Sequence, residues 1–328
     1  LIPPSIMLVI MADLLSRSVG NLFVAAVFPG LILATLYMAY IVIRCTLNPS
    51  LAPPIAENVG PQTRTGVALM ILRSFVPPVI LIGMVLGSIL GGVATPTEAA
   101  GVGALGAMVL GFFNLVILPS MGVKEFSLET SDTGTRSADF VATSLWRKLR
   151  QFGRTVSGVV DGTAQTNAMI FGLFIGATFF SYIFRALGGD DLVIGMVEAM
   201  GLGPWGLLFL LLGLVFVLGF FFDWIEITLI VLPVFAPIIA QLDFGDHVSR
   251  FDVVYWFAIL IAINLQTSFL TPPFGFALFY LKAVAPPEVK IQQIYRGIIP
   301  FVILQLFGLT LVILFPEIAL WLPRVLLN

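Results

Sequence analysis

The polar chemistry of this chain is concentrated at two places inside long apolar runs. The first is Asn264-Leu265-Gln266-Thr267-Ser268-Phe269-Leu270-Thr271-Pro272-Pro273, near the centre of the 29-residue uncharged stretch Val253–Leu281. Proline lacks an N–H and its ring clashes with the preceding turn, so a helix is expected to break just before Pro272-Pro273. The carbonyls freed there join five polar side chains, those of Asn264, Gln266, Thr267, Ser268 and Thr271. Carbonyl, hydroxyl and amide oxygens are the ligands a hard cation such as Na⁺ takes, and the positive end of a half-helix starting at Pro272 suits an anionic group. A structural kink satisfied by neighbouring hydroxyls is the alternative. The second place is Gly219-Phe220-Phe221-Phe222-Asp223-Trp224-Ile225-Glu226-Ile227-Thr228, in the middle of the largely apolar run Pro204–Leu242. An ionised carboxylate at membrane depth is costly and usually functional, which singles out Asp223 and Glu226. Two short helices meeting at an ordinary membrane–water boundary would place the same residues less interestingly.

The elements that must hold these residues follow from composition. Of 328 residues, 59% are hydrophobic and only 10% charged, and the mean hydropathy is +1.07. Soluble domains run at about 45–50% apolar and about 25% charged, so a soluble enzyme and a disordered tail are excluded. A net charge of -2 supplies no basic surface for nucleic acid. One cysteine, Cys45, and one histidine, His247, leave little for a disulfide framework, a zinc site or a Ser-His-Asp triad. Eight uncharged stretches of 16 to 29 residues punctuate the chain: Ser18–Ile43, Ser74–Thr97, Ala99–Val123, Gly162–Phe184, Ala199–Phe222, Ile227–Leu242, Val253–Leu281 and Gly297–Pro316. A spanning helix needs about 20 apolar residues, and barrel strands would instead alternate over ~10-residue segments. The fold class is therefore an all-α polytopic membrane protein embedded in a lipid bilayer.

Length arithmetic shapes the rest. Pro204–Leu242 has 39 residues, too long for one crossing and short for two, so a re-entrant helical hairpin with its tip at Gly219–Thr228 is expected. Leu1–Ala12 is too short to cross alone, lacks the basic start of a signal peptide and does not begin with Met, so the chain is expected to be a fragment that starts inside a membrane element. Lys124–Arg154 carries six Lys/Arg, and its second half, Ser144–Val156, has the pattern of a basic amphipathic helix on the membrane surface, or equally of a solvated loop. With that stretch in the cytoplasm, 12 of the 16 Lys/Arg fall inside, leaving Arg17, Arg185, Arg250 and Arg324 outside, as the positive-inside rule asks.

Two units share a pattern. Ile2-Pro3-Pro4-Ser5 is followed 25 residues after Pro4 by Pro29, and Leu270-Thr271-Pro272-Pro273 is followed 27 residues after Pro273 by Pro300. The topology runs them in opposite directions, the signature of an inverted repeat. The expected organisation is 1–17, the end of a first broken helix; 18–123, spanning helices that are mostly scaffold; and 124–165, a cytoplasmic basic loop with its amphipathic helix. Then come 166–203, a spanning helix and periplasmic connection; 204–242, the hairpin; 253–296, the second broken helix and its connection; and 297–328, a C-terminal spanning helix. Thr95-Pro96-Thr97-Glu98 suits a helix N-terminus with Thr95 or Thr97 as cap. Gly83, Gly87, Gly91, Gly92, Gly101, Gly103 and Gly106 would let helices approach closely. His247 is expected to be solvated in the loop Asp243–Asp252.

Several separated motifs agree in order and spacing with one family: Ile2-Pro3-Pro4-Ser5, Phe28-Pro29-Gly30-Leu31, Ala94-Thr95-Pro96-Thr97-Glu98-Ala99-Ala100, Phe222-Asp223-Trp224 with Pro233 and Pro237, and Leu270-Thr271-Pro272-Pro273-Phe274-Gly275. Together they resemble the large membrane subunit of TRAP (tripartite ATP-independent periplasmic) transporters, over essentially the whole chain. The resemblance implies a Na⁺-gradient-driven symporter of the bacterial inner membrane. It implies an organic acid delivered by a periplasmic binding protein, a small four-helix membrane subunit as partner, and an elevator-type inverted-repeat architecture. By the same resemblance Gly219–Thr228 is the tip of the second hairpin and Asn264–Pro273 the second break. Gly219, Asp223, Ser268 and Thr271 would then hold Na⁺, with Thr228, Asn264, Gln266, Thr267, Pro272 and Pro273 completing the ion and substrate site. No covalent cofactor is expected, only Na⁺ as coupling ion. The family's first hairpin would precede Ile2, so the chain is expected to be the larger, C-terminal part of such a subunit, with 124–143 as an insertion. The competing readings are a stand-alone ion-coupled carrier without a binding protein, a passive channel, and an intramembrane enzyme, which would need a catalytic constellation that Asp223 and a loop histidine do not make.

Overall fold

In a computed structural model the described residues are 1–53, 63–117, 145–272, 277–278, 281–282, 285–286 and 288–326. All regular structure among them is helical, and five helical stretches there are long and apolar enough to cross a membrane: Val19–Leu47, Arg64–Leu90, Pro96–Ile117, Leu145–Ala186 and Ile291–Leu314. The all-α, multi-pass membrane class read from composition holds. The expected insertion at 124–143 lies outside the described residues.

The chain divides into two compact units, one of residues 1–52 and 171–328, the other of residues 53–170. In the first unit the helices are α1 (Ile6–Leu14), α2 (Val19–Leu47), α7 (Gly189–Ala199), α8 (Pro204–Leu218), α9 (Trp224–Ile239), α10 (Val253–Ser268), α11 (Ile291–Leu314) and α12 (Glu317–Leu326). Helix α10 is its hub, packed against α1, α2, α8, α9, α11 and α12. Every residue from Trp256 to Leu265 is at most 1% exposed. A helix that is apolar all round belongs inside a bundle, and Val253–Leu265 has that character. Pro29 stays inside α2, and the next residue, Gly30, matters more. A Cβ there would come within 3.0 Å of the Ile2 side chain and 3.5 Å of its backbone N. Glycine at this position thus lets the Pro3-Pro4 segment lie against α2.

Helices α8 and α9, of 15 and 16 residues, pack on each other and join through Gly219–Asp223. At 1.5 Å per residue each rises about 22–24 Å, short of a hydrocarbon core of about 30 Å. Two prolines, Pro233 and Pro237, sit inside α9.

The second unit contains α3 (Arg64–Ser74), α4 (Val76–Leu90), α5 (Pro96–Phe112) and the first part of α6 (Leu145–Ala186). Thr95, not Thr97, caps α5: its hydroxyl accepts from Glu98 N at 3.3 Å while Glu98 Oε2 accepts from Thr95 N at 2.8 Å, a complete capping box. Gly103 and Gly106 let α5 approach Val85 and Leu81 of α4, but a Cβ at Gly83, Gly87 or Gly101 would meet open space among the described residues. The close-packing role expected of all these glycines is therefore corrected to two of them.

Two further expectations are revised. The basic segment Ser144–Val156 and the span Gly162–Phe184 were expected as separate elements meeting at 165/166, but Leu145–Ala186 is one 42-residue helix. Charge marks where water ends, and nothing in this segment breaks a helix. It has no proline, and the hydroxyls of Thr155 and Thr166 fold back onto carbonyls four residues earlier. His247, expected to be solvated, is half-buried instead. Its Nε2–H donates to the Ile313 carbonyl at 2.7 Å, and its ring lies 4.9 Å from Trp205 and 5.8 Å from Trp256. The loop sequence is polar, yet it folds back onto the end of the bundle.

Candidate functional site

A cavity of about 600 Å³ opens in the first unit where the two predicted breaks and the hairpin tip meet. Pro4 and Ser5 line it from the first Pro-Pro segment, Trp224 from the start of α9, and Gln266 and Leu270 from the end of α10. Tyr37 of α2 completes the wall. Apart from Tyr37, which sits inside α2, these contributions come from helix ends or breaks, where backbone hydrogen bonding changes hands and polar groups become available.

The side chains predicted for the site divide by what they touch. Asp223 is the N-cap of α9, and its Oδ1 accepts from Trp224 N at 2.8 Å, so the tip has a negative group at a positive helix end. One turn on, Glu226 has its Oε2 buried without a hydrogen-bond partner among the described residues. Thr228 is 0% exposed, and its hydroxyl donates to Trp224 O at 2.6 Å. Gly219 ends α8 with φ -63°, a conformation open to any residue, so its place in the turn does not depend on being glycine.

On α10 the predicted cluster proves largely internal. Asn264, 1% exposed, donates through Nδ2 to Leu212 O of α8 at 2.7 Å and ties the first hairpin arm to the hub helix. The Thr267 hydroxyl donates to Ile263 O at 3.3 Å, and the Thr271 hydroxyl to Thr267 O at 2.6 Å. The Thr267 carbonyl also accepts from Leu270 N at 3.1 Å, so the Thr271 hydroxyl is a second donor to a carbonyl of the last helical turn. Among the predicted side chains that are described, Gln266 alone lines the cavity, and its Oε1 is buried without a partner among the described residues. Pro272 follows the break; the Ser268 side chain and Pro273 lie outside the described residues.

What the cavity can do chemically follows from these groups. It offers an amide, a phenol, the Ser5 hydroxyl and an aromatic wall, with two carboxylates of the tip close by in sequence. Such a pocket is neutral-polar and partly apolar, sized for a small organic solute. Tyr37 escaped sequence reasoning, as did Gln305, a fully buried glutamine on α11 described below. Both are uncharged, so runs bounded by charged residues pass straight over them. A polar residue inside a span was the available signal.

Comparison with known proteins agrees with the motifs. A family model described as "Tripartite ATP-independent periplasmic transporter, DctM component" matches residues 1–318. The ectoine/5-hydroxyectoine TRAP transporter large permease protein UehC of Ruegeria pomeroyi is 27% identical over 98% of this chain. The C4-dicarboxylate TRAP transporter large permease protein DctM of Pseudomonas aeruginosa is 26% identical over 99% of it. The sialic acid TRAP transporter large permease protein SiaM of Vibrio cholerae is 28% identical over all of it. The chain spans 64–65% of the length of these three relatives.

Proposed function

The chain belongs to the DctM component family of tripartite ATP-independent periplasmic transporters, and from that membership we propose that it forms the solute-carrying part of a Na⁺-coupled importer of organic acids. It is a multi-pass protein of the bacterial inner membrane. A periplasmic binding protein hands the solute over, and a small four-helix membrane subunit accompanies the large one. The single observation that carries the reading is the cavity of about 600 Å³ where Pro4 and Ser5, Trp224 and Gln266 converge from the two breaks and the hairpin tip. Relatives whose names specify ectoine, C4-dicarboxylates and sialic acid support small organic acids as the class. The unit of residues 1–52 and 171–328 contains the whole cavity, and we take it as the body that carries solute across, in the elevator manner.

Na⁺ binds at the tip and the break in this reading. Asp223 and Glu226 supply negative charge, and the carbonyls near Gly219 and around Ser268 and Thr271 supply neutral oxygens, the donor set a hard monovalent cation prefers. The test is thermal unfolding of the full-length purified protein in Na⁺ and in K⁺ at equal ionic strength, beside Asp223→Asn. Binding to the folded state alone raises stability by RT ln(1 + [L]/Kd), about 2.7 kcal/mol at roughly 100-fold excess over Kd. The expected result is a Na⁺-specific rise in midpoint that Asp223→Asn removes. Equal midpoints in the two ions would defeat the Na⁺ reading. Uptake by proteoliposomes without any dependence on the Na⁺ gradient would defeat the coupling.

A further inference from the structure

The cavity has a polar group that none of the predicted motifs supplies. Tyr37 of α2 lines it, and the Tyr37 hydroxyl is buried without a hydrogen-bond partner among the described residues. Beside that hydroxyl stands the amide of Gln305, from the interior of α11, at 0% exposure. No hydrogen bond of ordinary geometry closes between them, and Nε2 and Oε1 of Gln305 are both without partners among the described residues. Phe301, one turn before Gln305, packs edge-on against Tyr37 with ring centroids 5.4 Å apart and helps fix the phenol. On α10, Gln266 faces the same cavity with its Oε1 buried and unpartnered.

Buried polar groups are almost always paired, because an unpaired one forfeits its hydration without return. The phenol of Tyr37 and the amide oxygen of Gln266, left open on the cavity wall among the described residues, therefore point to a bound solute. We infer that Tyr37 and Gln266 select the solute, with Gln305, which does not line the cavity, positioning the Tyr37 phenol, and that the pair favours an organic acid carrying a neutral hydroxyl or amide group besides its carboxylate. The inference rests on the proposed reading of the cavity as the solute site. A phenol and an amide can each donate and accept, which matches a hydroxyl or an amide of the solute, itself donor and acceptor. A second carboxylate matches poorly. It only accepts, and burying its charge against neutral groups costs far more than neutral hydrogen bonds return.

The test uses the purified full-length permease in Na⁺ buffer without its binding protein, so that only the permease's own selectivity is read. Thermal protection is titrated with pairs of acids that differ by one hydroxyl: succinate and malate, propionate and lactate, butyrate and 3-hydroxybutyrate. For at least one pair the hydroxylated acid is expected to bind at least fivefold more tightly, and Tyr37→Phe and Gln305→Leu each to lower that ratio at least fivefold. Without any acid, Gln305→Leu is expected to leave the unfolding midpoint unchanged or raised, because it removes an unpaired buried amide. A purely structural glutamine would give a lower midpoint with an unchanged ratio. A wild-type preference for the acid lacking the hydroxyl in every pair overturns the inference, and so does a ratio that survives both substitutions. Protection by none of the six acids overturns the solute-site reading itself, and this inference with it.

Discussion

Asn264 isolates what a polar residue at a helix break does here. Its Nδ2 donates to Leu212 O at 2.7 Å in a fully buried position, linking α10 to α8. Removing the donor leaves no water to take its place, so Asn264→Ala is expected to destabilise the protein by about 1–3 kcal/mol. Asn264→Asp should cost more, because it sets a carboxylate against a carbonyl oxygen in a buried position. Both appear as a lower thermal midpoint, while the difference between Na⁺ and K⁺ midpoints persists. Loss of that difference in Asn264→Ala would return the residue to the ion site. The example also shows what was legible at this scale. Residue type located the break and the tip, but it could not tell an oxygen that faces a ligand from one that faces its own helix. Thr228, Thr267 and Thr271 all turn to carbonyls four residues earlier. Tyr37 and Gln305 went unread because a neutral side chain does not interrupt an uncharged run.

At the scale of elements, α9 carries a fault that another helix repairs. In an α-helix the carbonyl of Pro233 would accept from the N–H of residue 237, but residue 237 is proline and has none. Arg185, at the end of α6, donates to that carbonyl through an Nη at 2.7 Å. The guanidinium thus stands in for a missing backbone donor in the second arm of the hairpin. Arg185 is exposed, so solvent screens the contact and its worth is about 1 kcal/mol rather than that of a buried charged hydrogen bond. Arg185→Ala should lower the midpoint in the parent background. In Pro237→Ala, which restores the N–H, the same change should have a smaller effect. Equal effects in the two backgrounds would show that Arg185 does not serve the Pro233 carbonyl. Sequence displays the two prolines and the arginine but not their meeting, because the partners lie 48 residues apart. The same limit hid the continuity of α6. Its charge pattern marks a boundary with water, and the helix passes through that boundary unbroken.

For the whole molecule, the two units differ in what holds them. The first is built around α10, where Leu260 and its neighbours are wholly buried. In the second, Ala99 and Val116 are the buried residues among those described, while Leu69 is 65% and Ile80 56% exposed. Composition predicts that apolar surface in aggregate; it cannot divide it between a protein interior and an outer face, since both are equally apolar in a membrane protein. The division makes a sharp prediction. Leu260→Ala opens a cavity in packed protein and should cost about 2–5 kcal/mol. Leu69→Ala removes a side chain that is mostly exposed among the described residues, and should change stability by less than about 0.5 kcal/mol. Measured as midpoints in the same detergent, the two substitutions are expected to separate clearly, with Leu260→Ala far the lower. A large loss from Leu69→Ala in the isolated chain would mean that the second unit has an interior of its own. A loss seen only when partner subunits are bound would instead assign that face to an interface, and would mark the second unit as the part of the molecule that is held from outside.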